Sequence, residues 1–485
     1  MNTFAERIAE HAAADPDAPA VTCAGASLTY AELADGAGRV AAHLLAAGAR
    51  PGTTVVILLP NGPDFVRALL AAWWIGATPT PVSPKLPLHE RTALVGLAEA
   101  SAVVAEDVGD LAGAYEVLTV AQLAKPVDAV APSSTPSPQW KAIGSGGSTG
   151  RPKLIVAEQH AVAEDVMGLG VLLRVPERRT MVVPGPLSHN APFAALSVGL
   201  LRGNHVVLMA RFDAAECLRL VAVHRAEWLY QVPTMMLRIW RLPAQERPAH
   251  DLSSLKVVFH MAAPCPRWLK QEWCDWLGPE TILELYGGTE LQAMTIVGGR
   301  DWLAHPGSVG PVVLGEMQVR DQDGNVLPPG ETGEIWMRRG AQEPSPYHYR
   351  GAQARRARDS WESLGDMGHF DGDGFLYLAD RASDMILVGG SNVYPAEVEA
   401  ALDAHGAVRS SCVIGLPDED LGNVPHAIVE LAEEVSDEEL LAWVRERVAG
   451  YKAPRSVERV DHPLRDDAGK VRRSQLRAER VRDGG

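Results

Sequence analysis

The sequence predicts an α/β protein: a large N-terminal domain of two βαβ-type subdomains plus a small β-barrel, and a small α+β C-terminal domain. Three observations predict it. Short β-branched, apolar runs alternate with capped helices as far as Tyr286, the rhythm of a parallel sheet. The stretch 305–340 breaks that rhythm with short strands and the turn Asp321-Gln322-Asp323-Gly324-Asn325. After Asp380-Arg381 the pattern shifts once more, and 485 residues are too many for one ordinary core. The boundary falls at Ala382-Ser383, dividing 1–382 from 383–485.

Thr3 and Glu6 form a capping box, with Phe4, Ile8 and Ala12 following at helical spacing. A second box, Thr29 with Glu32, opens a helix that stops near Gly48, with Pro51 beyond. Residues 53–59 read as a buried strand, 64–75 as a helix and 78–82 as a strand. A helix after Pro87 and a strand over 102–105 continue the alternation. The Pro-, Ser- and Ala-rich stretch 126–138 reads as an exposed connector. In the second run, strands are predicted at 180–183, 206–209, 228–232, 257–260 and 282–286. Helices fill the gaps, one opened by an Asp213/Glu216 cap. The C-terminal unit reads as a strand at 385–388, a helix from Pro395, strands near Cys412 and Ile428, and a helix capped by Ser436 with Glu439.

Lysine and arginine total 45 against 61 aspartates and glutamates, a net charge of −16. That balance argues against nucleic acid or an anionic membrane as a general partner, so anionic ligands have to be met by local donors. The five cysteines lack metal-ligand spacing, and their odd number fits a reducing cytoplasm. No apolar signal core follows Met1 and no run of 18 apolar residues occurs, so the expectation is a soluble cytoplasmic protein without integral membrane association.

The chemistry is organised around Gly144-Ser145-Gly146-Gly147-Ser148-Thr149-Gly150-Arg151-Pro152-Lys153. Glycines let successive N–H groups turn inward as an anion nest, the hydroxyls add donors, and Lys153 brings a mobile charge to the rim. This is not a Walker A loop, because Leu154-Ile155-Val156-Ala157 follows as a strand rather than a helix. The loop is expected to link two strands. On composition alone a flexible Gly/Ser connector is also a valid reading.

The loop resembles the phosphate loop of the adenylate-forming superfamily, which includes acyl-CoA synthetases, peptide-synthetase adenylation domains and luciferases. Further motifs of that family follow in order: Tyr286-Gly287-Gly288-Thr289-Glu290, Gly365-Asp366-Met367-Gly368, Asp380-Arg381, Gly389-Gly390-Ser391-Asn392-Val393-Tyr394-Pro395-Ala396-Glu397-Val398-Glu399 and Gly469-Lys470. The resemblance spans nearly the whole chain. It implies ATP, Mg²⁺ and CoA as cofactors, a small-molecule carboxylic acid as substrate, and a mobile C-terminal domain. Ser145, Gly146, Gly147, Ser148, Thr149, Gly150 and Lys153 would cradle the phosphates. Thr289 would contact phosphate, Glu290 would hold Mg²⁺, and Tyr286 would lie against adenine with Gly287 and Gly288 in the same binding turn. Asp366 would accept from the ribose hydroxyls, Arg381 would contact ribose and phosphate, and Lys470 would bridge the substrate carboxylate and the α-phosphate. Without the family, Asp366 reads as a turn residue, Arg381 as an ion-pair partner of Asp380 or Asp384, and Lys470 as a solvated lysine.

On the acyl side, Pro184-Gly185-Pro186-Leu187-Ser188-His189-Asn190-Ala191-Pro192-Phe193 resembles the segment that begins the pocket of CoA ligases. His189 matches the aromatic gate beside the reacting carboxylate, although a structural histidine fits the residues about as well. Asn190 stands where amino-acid-activating relatives place an aspartate, which disfavours an amino-acid substrate. Gly389 and Gly390 would face the active site in a second, thioester-forming pose. Ser383 would be the hinge, where relatives usually carry Asp or Lys.

The sequence is thus identified as a member of the superfamily, and an ATP-dependent carboxylic acid–CoA ligase is expected. Its acyl motifs look most like those of bacterial ligases for bulky polycyclic acids such as steroid, bile or diterpenoid acids. Ala191, Ala194, Ala195, Met235, Met236, Met261, Ala262, Ala263 and Pro264 are small or deformable, consistent with a large pocket. The alternative is an enzyme that loads an aryl or acyl group onto a separate carrier protein. A dead nucleotide-binding module is disfavoured because Glu290, Asp366, Arg381 and Lys470 are all present.

Overall fold

The computed structural model describes residues 2–483 apart from 112, 147–151, 244, 358, 382, 419, 467 and 468. The first βαβ run forms a parallel four-stranded sheet, ordered Thr78–Pro81, Thr54–Leu58, Ala102–Ala105, Val117–Thr119. Successive residues of its central strand point to opposite cores. Val55 and Ile57 enter one, Val56 and Leu58 the other. Burial on both faces is why such strands are apolar throughout rather than alternating.

The second run builds a nine-stranded sheet. Its parallel centre is ordered Ile282–Gly287, Val257–His260, Trp228–Gln231, Thr180–Val183, His205–Leu208, Pro19–Cys23. The expected parallel sheet holds for these six strands but not for the edges. Ala26–Thr29 folds back antiparallel on Pro19–Cys23, and Met294–Gly298 folds back on Ile282–Gly287. The connections there are too short for a crossover, which parallel pairing requires.

Both capping boxes form reciprocally, at the starts of helices Phe4–Ala14 and Tyr30–Ala46. Asp213 accepts from the Glu216 N–H at 2.8 Å, and Ser436 accepts from the Glu439 N–H at 3.1 Å, as read. The small antiparallel unit runs well beyond 305–340. It joins Ser308–Gly310, Leu376–Arg381, Glu362–Phe370, Gly333–Arg338 and Glu316–Arg320. The glycine-rich stretch links two strands as expected: Ala142–Gly146 pairs antiparallel with Pro152–Ala157, Ser145 opposite Lys153. Tyr347–Arg350 adds a third strand on the outer side.

The C-terminal unit pairs Val408–Asp418 with Gly422–Leu431, packs helix Pro395–Asp403 against the first of them, and packs helix Asp437–Arg445 against that helix. Its core includes Val398, Leu402, Val413, Val429 and Leu440. Of the sequence-predicted boundary, Ala382 lies outside the described residues.

One polar cluster is buried under the large sheet. The Lys270 ammonium donates to Glu284 Oε2 at 2.5 Å, and His260 Nδ1 lies 3.8 Å from Glu284 Oε1. All three are buried. Removing one member of a buried pair strands the other charge, whereas replacing both by apolar residues does not. Lys270→Met is therefore expected to destabilise the protein by about 3–5 kcal/mol, and Lys270→Met with Glu284→Leu by clearly less. Urea unfolding midpoints of the two variants check this.

Candidate active site

Parallel sheets place their ligand-binding segments at the carboxyl ends of the strands. Here four adjacent strands do so. Thr180–Val183 leads into Pro184–Phe193, Trp228–Gln231 into Pro233–Trp240, Val257–His260 into 261–264, and Ile282–Gly287 into Gly288-Thr289-Glu290. Asn61 ties the first of these segments down. Its amide donates to Gly185 O and Met209 O, both at 2.9 Å, and its carbonyl accepts from the Leu187 N–H at 2.8 Å.

Glu290 is the centre of the polar site. It is 6 % exposed and sits in a tight turn closed by the Leu291 N–H to Gly288 O. The Tyr349 hydroxyl donates to Glu290 Oε1 at 2.6 Å, and Lys153 Nζ stands 3.8 Å from the same oxygen. Lys153 also lies over the Tyr349 ring, 3.8 Å from its centroid. Desolvation lowers the Lys153 pKa, and Glu290 opposes that shift. Burial first, and then Glu290, push the Tyr349 phenol far above its usual range, so it stays a donor.

A second group forms across two antiparallel strands that place Asp366 opposite Arg381. Asp366 Oδ2 accepts from the Tyr286 hydroxyl at 2.8 Å, and Oδ1 accepts from Arg381 Nε at 3.2 Å. Asp366 lies in the strand Glu362–Phe370 at a register shift rather than in a free turn. Thr289 and His189 are half-buried, His189 at the N-cap of helix Asn190–Leu201.

Lys470 reaches this site from the C-terminal unit. Its turn is closed by Asp466 N–H to Lys470 O at 2.9 Å and by Lys470 N–H to Asp466 Oδ1 at 2.9 Å. Gly469 has φ +77° and is pressed against Thr234, where a Cβ would collide with the threonine hydroxyl. Only glycine satisfies both demands. Desolvation lowers the Lys470 pKa although part of the side chain reaches solvent. Asp466 and Glu290 counteract the shift and Arg381 adds to it, so Lys470 shares one electrostatic field with Glu290 and Arg381.

Gly389 and Gly390 form the positive-φ turn between Ile386–Val388 and Ser391–Val393, and Gly389 N–H donates to Leu421 O within the C-terminal unit. Ser145 and Gly146 lie on the strand entering the loop. Gly147, Ser148, Thr149 and Gly150 lie outside the described residues.

The model of the AMP-binding enzyme family matches residues 8–342, and that of the AMP-binding enzyme C-terminal domain matches 397–470. The chain belongs to the AMP-binding enzyme family. Its feruloyl-CoA synthase relative from an Amycolatopsis species is 33 % identical over 477 residues, covering 95 % of this chain and 96 % of that one. A Rhodococcus jostii 3-[(3aS,4S,7aS)-7a-methyl-1,5-dioxo-octahydro-1H-inden-4-yl]propanoyl:CoA ligase is 30 % identical, covering 93 % and 94 %. Among solved structures, o-succinylbenzoate CoA synthetase from Bacillus subtilis with its acyl-adenylate intermediate superposes with a TM-score of 0.83 at 27 % identity, covering 98 % of both chains.

Like these relatives the enzyme is an AMP-forming acid–CoA ligase that uses ATP, Mg²⁺ and CoA. The residues suit Mg²⁺. Glu290 is a hard oxygen donor, its other neighbours are the Tyr349 hydroxyl and a lysine, and none of these would compete as a soft ligand. Sequence reasoning missed Tyr349 and Asn61. Tyr349 carries no local signal, because its contact with Glu290 exists only once Tyr347–Arg350 pairs with the phosphate hairpin.

If Lys470 bridges the substrate carboxylate and the α-phosphate, as the family resemblance implies, it has to be protonated, and activity is expected below its pKa and lost as pH rises through it. The lowered pKa puts that loss below the ordinary lysine value of about 10.4. In the pH profile of kcat/KM for ATP, Lys470→Arg should move the alkaline limb upward. An unmoved limb assigns it to another group. Asp366→Ala should raise the KM for ATP, and an unchanged KM removes Asp366 from the ribose.

Proposed function

We propose that this ligase activates a bulky, polycyclic hydrophobic carboxylic acid and transfers it to CoA. The observation that carries this reading is the convergence of small and deformable side chains. Ala194, Ala195 and Met235 belong to the large apolar core on one face of the sheet, with Ala191 and Met261 packed against it, and all five lie on segments that follow the central strands. Met236, expected with them, packs into the cluster on the other face of the sheet and is not part of this lining. The bicyclic acid named for the Rhodococcus relative supports the same size class, whereas feruloyl and succinylbenzoate groups mark the smaller alternatives.

In this reading a substrate carboxylate oxygen attacks the α-phosphorus and pyrophosphate leaves. Lys470 spans the attacking carboxylate and the α-phosphate and offsets the charge that builds up there. Lys153 meets the departing phosphates, Asp366 and Arg381 hold the ribose, and Tyr286 flanks the base. Glu290 would hold Mg²⁺, which when bound would supply neutralisation of the phosphate charge. The CoA sulfur then attacks the acyl carbon and AMP leaves. We assign that step to a second pose in which the unit 383–485 turns about Ser383, withdraws Lys470 and presents Gly389 and Gly390. The free state of the five cysteines supports a reducing cytoplasm as the place of action.

Lys470→Ala should slow pyrophosphate exchange by about 10² or more while leaving CoA transfer from a supplied acyl-adenylate intact. Equal loss of both steps would remove this role. In a panel of acids, multi-ring acids should exceed ferulate and acetate in kcat/KM, each buried CH₂ adding about 0.8 kcal/mol. Ala263→Trp should exclude the multi-ring acid and spare a small one. Acetate as best substrate, or unchanged polycyclic turnover in Ala263→Trp, would overturn the large-pocket reading.

A further inference from the structure

The mechanism leaves one buried charge unused. Lys141 is 2 % exposed, and its side chain is enclosed rather than laid along the surface. Its ammonium donates to Asn190 Oδ1 and lies 4.5 Å from the centroid of the Trp140 ring. Among the described residues no carboxylate stands within ion-pair distance of it. Glu290 favours its charged form from further away, but that carboxylate is already shared by Tyr349 and Lys153. An ammonium has three N–H donors, and one neutral amide oxygen satisfies only one of them. Burial without a counter-charge is costly, and here desolvation brings the lysine pKa down to about 7. A chain that keeps a lysine in such a place has a use for its open donors, and an arriving oxygen would relieve the cost.

Position says which ligand brings that oxygen. Lys141 precedes the strand Ala142–Gly146, so its backbone lies roughly 13 Å before Ser145, where the phosphate cradle begins. A lysine side chain does not span that distance. Its partner Asn190 instead follows His189 and opens the helix that carries Ala191, Ala194 and Ala195. The ammonium is thus fixed between the phosphate hairpin and the acyl segment, on the acyl side.

We propose that Lys141, held by Asn190, is a specificity-determining hydrogen-bond donor to an oxygen of the acyl group other than the reacting carboxylate, and that it selects acids bearing a keto, hydroxyl or second carboxylate oxygen. The inference rests on the ligase reading given above and narrows its substrate class from hydrophobic to oxygen-bearing polycyclic acids. Asn190 acts as the positioning residue. Its amide oxygen aims the ammonium without neutralising it, as an aspartate would.

The test uses matched acids, each with and without its ring oxygens, such as the dioxo-indanyl propanoic acid of the Rhodococcus relative and its deoxo counterpart. Pyrophosphate exchange and CoA-thioester formation are followed with the full chain. Wild type should prefer the oxygenated member of at least one pair. Lys141→Met should lower kcat/KM for that member by roughly 10- to 100-fold and leave the deoxo acid and the KM for ATP within about twofold. Asn190→Asp adds a counter-charge without removing the lysine, and should erase the same preference in a folded protein. An absent preference in wild type, an unchanged ratio in both variants, or equal loss of every acid in Lys141→Met would overturn the proposal. If wild type forms no adenylate from any acid, the ligase reading itself fails, which is a separate result.

Discussion

The proposed site depends on one constraint: a buried carboxylate would have to coexist with a bound polyphosphate. Glu290 is nearly inaccessible and anionic groups must gather beside it in a protein whose net charge is −16. An isolated buried charge of that kind is not tolerated. The structure answers with a tyrosine donor at 2.6 Å, a lysine at 3.8 Å and, from the C-terminal unit, Lys470 within electrostatic reach. Each of those lysines is desolvated enough to lower its pKa. The cleft therefore holds cations that gain from an anionic ligand and a carboxylate that gains from a divalent cation. Mutual need of this sort makes ATP and Mg²⁺ a matched pair here, despite the acidic surface.

That arrangement is possible because the fold delivers distant residues to one edge. Glu290 sits in the turn after the sheet strand Ile282–Gly287, Lys153 lies on a separate hairpin, and Tyr349 arrives on a strand that pairs with that hairpin. Asp366 and Arg381 face each other across an antiparallel ladder, which fixes their separation through the backbone. Asn61, from the first subdomain, pins the acyl segment through three hydrogen bonds to backbone groups. A backbone held that way can present small side chains without collapsing into the space they leave.

Local chemistry was legible in the sequence, and long-range pairing was not. Thr3, Thr29, Asp213 and Ser436 cap helices through the N–H three residues on, so their roles could be read directly. Buried parallel strands such as Val257–His260 announced themselves as unbroken apolar runs. The strand Pro19–Cys23 did not, because it pairs with a strand nearly two hundred residues on. Motif residues Glu290, Asp366, Arg381 and Lys470 were found through a resemblance, and the Asp366–Arg381 pair and the electrostatic coupling of Lys470 to Glu290 and Arg381 came from the structure. Lys141 escaped because one lysine before a glycine-rich loop looks like any surface lysine until its burial is known.

The contacts that bring Lys470 into place are of a particular kind. Arg472 pairs with Glu90 at 2.5 Å on the surface, and Arg241 donates to the backbone oxygens of Arg409 and Asp403 at 2.6 and 2.7 Å. Exposed ion pairs contribute roughly 0–1 kcal/mol, and hydrogen bonds from a charged donor such as Arg241 about 1.5–3 kcal/mol. The apolar core of the C-terminal unit, by contrast, is made of its own residues, with Val398, Leu402, Val413 and Leu440 packed together. The unit's integrity and its docking therefore draw on different interactions, one apolar and one polar. Lys470 is held within its own turn by Asp466, and a polar docking of that turn suits the role proposed for it, in one half-reaction only.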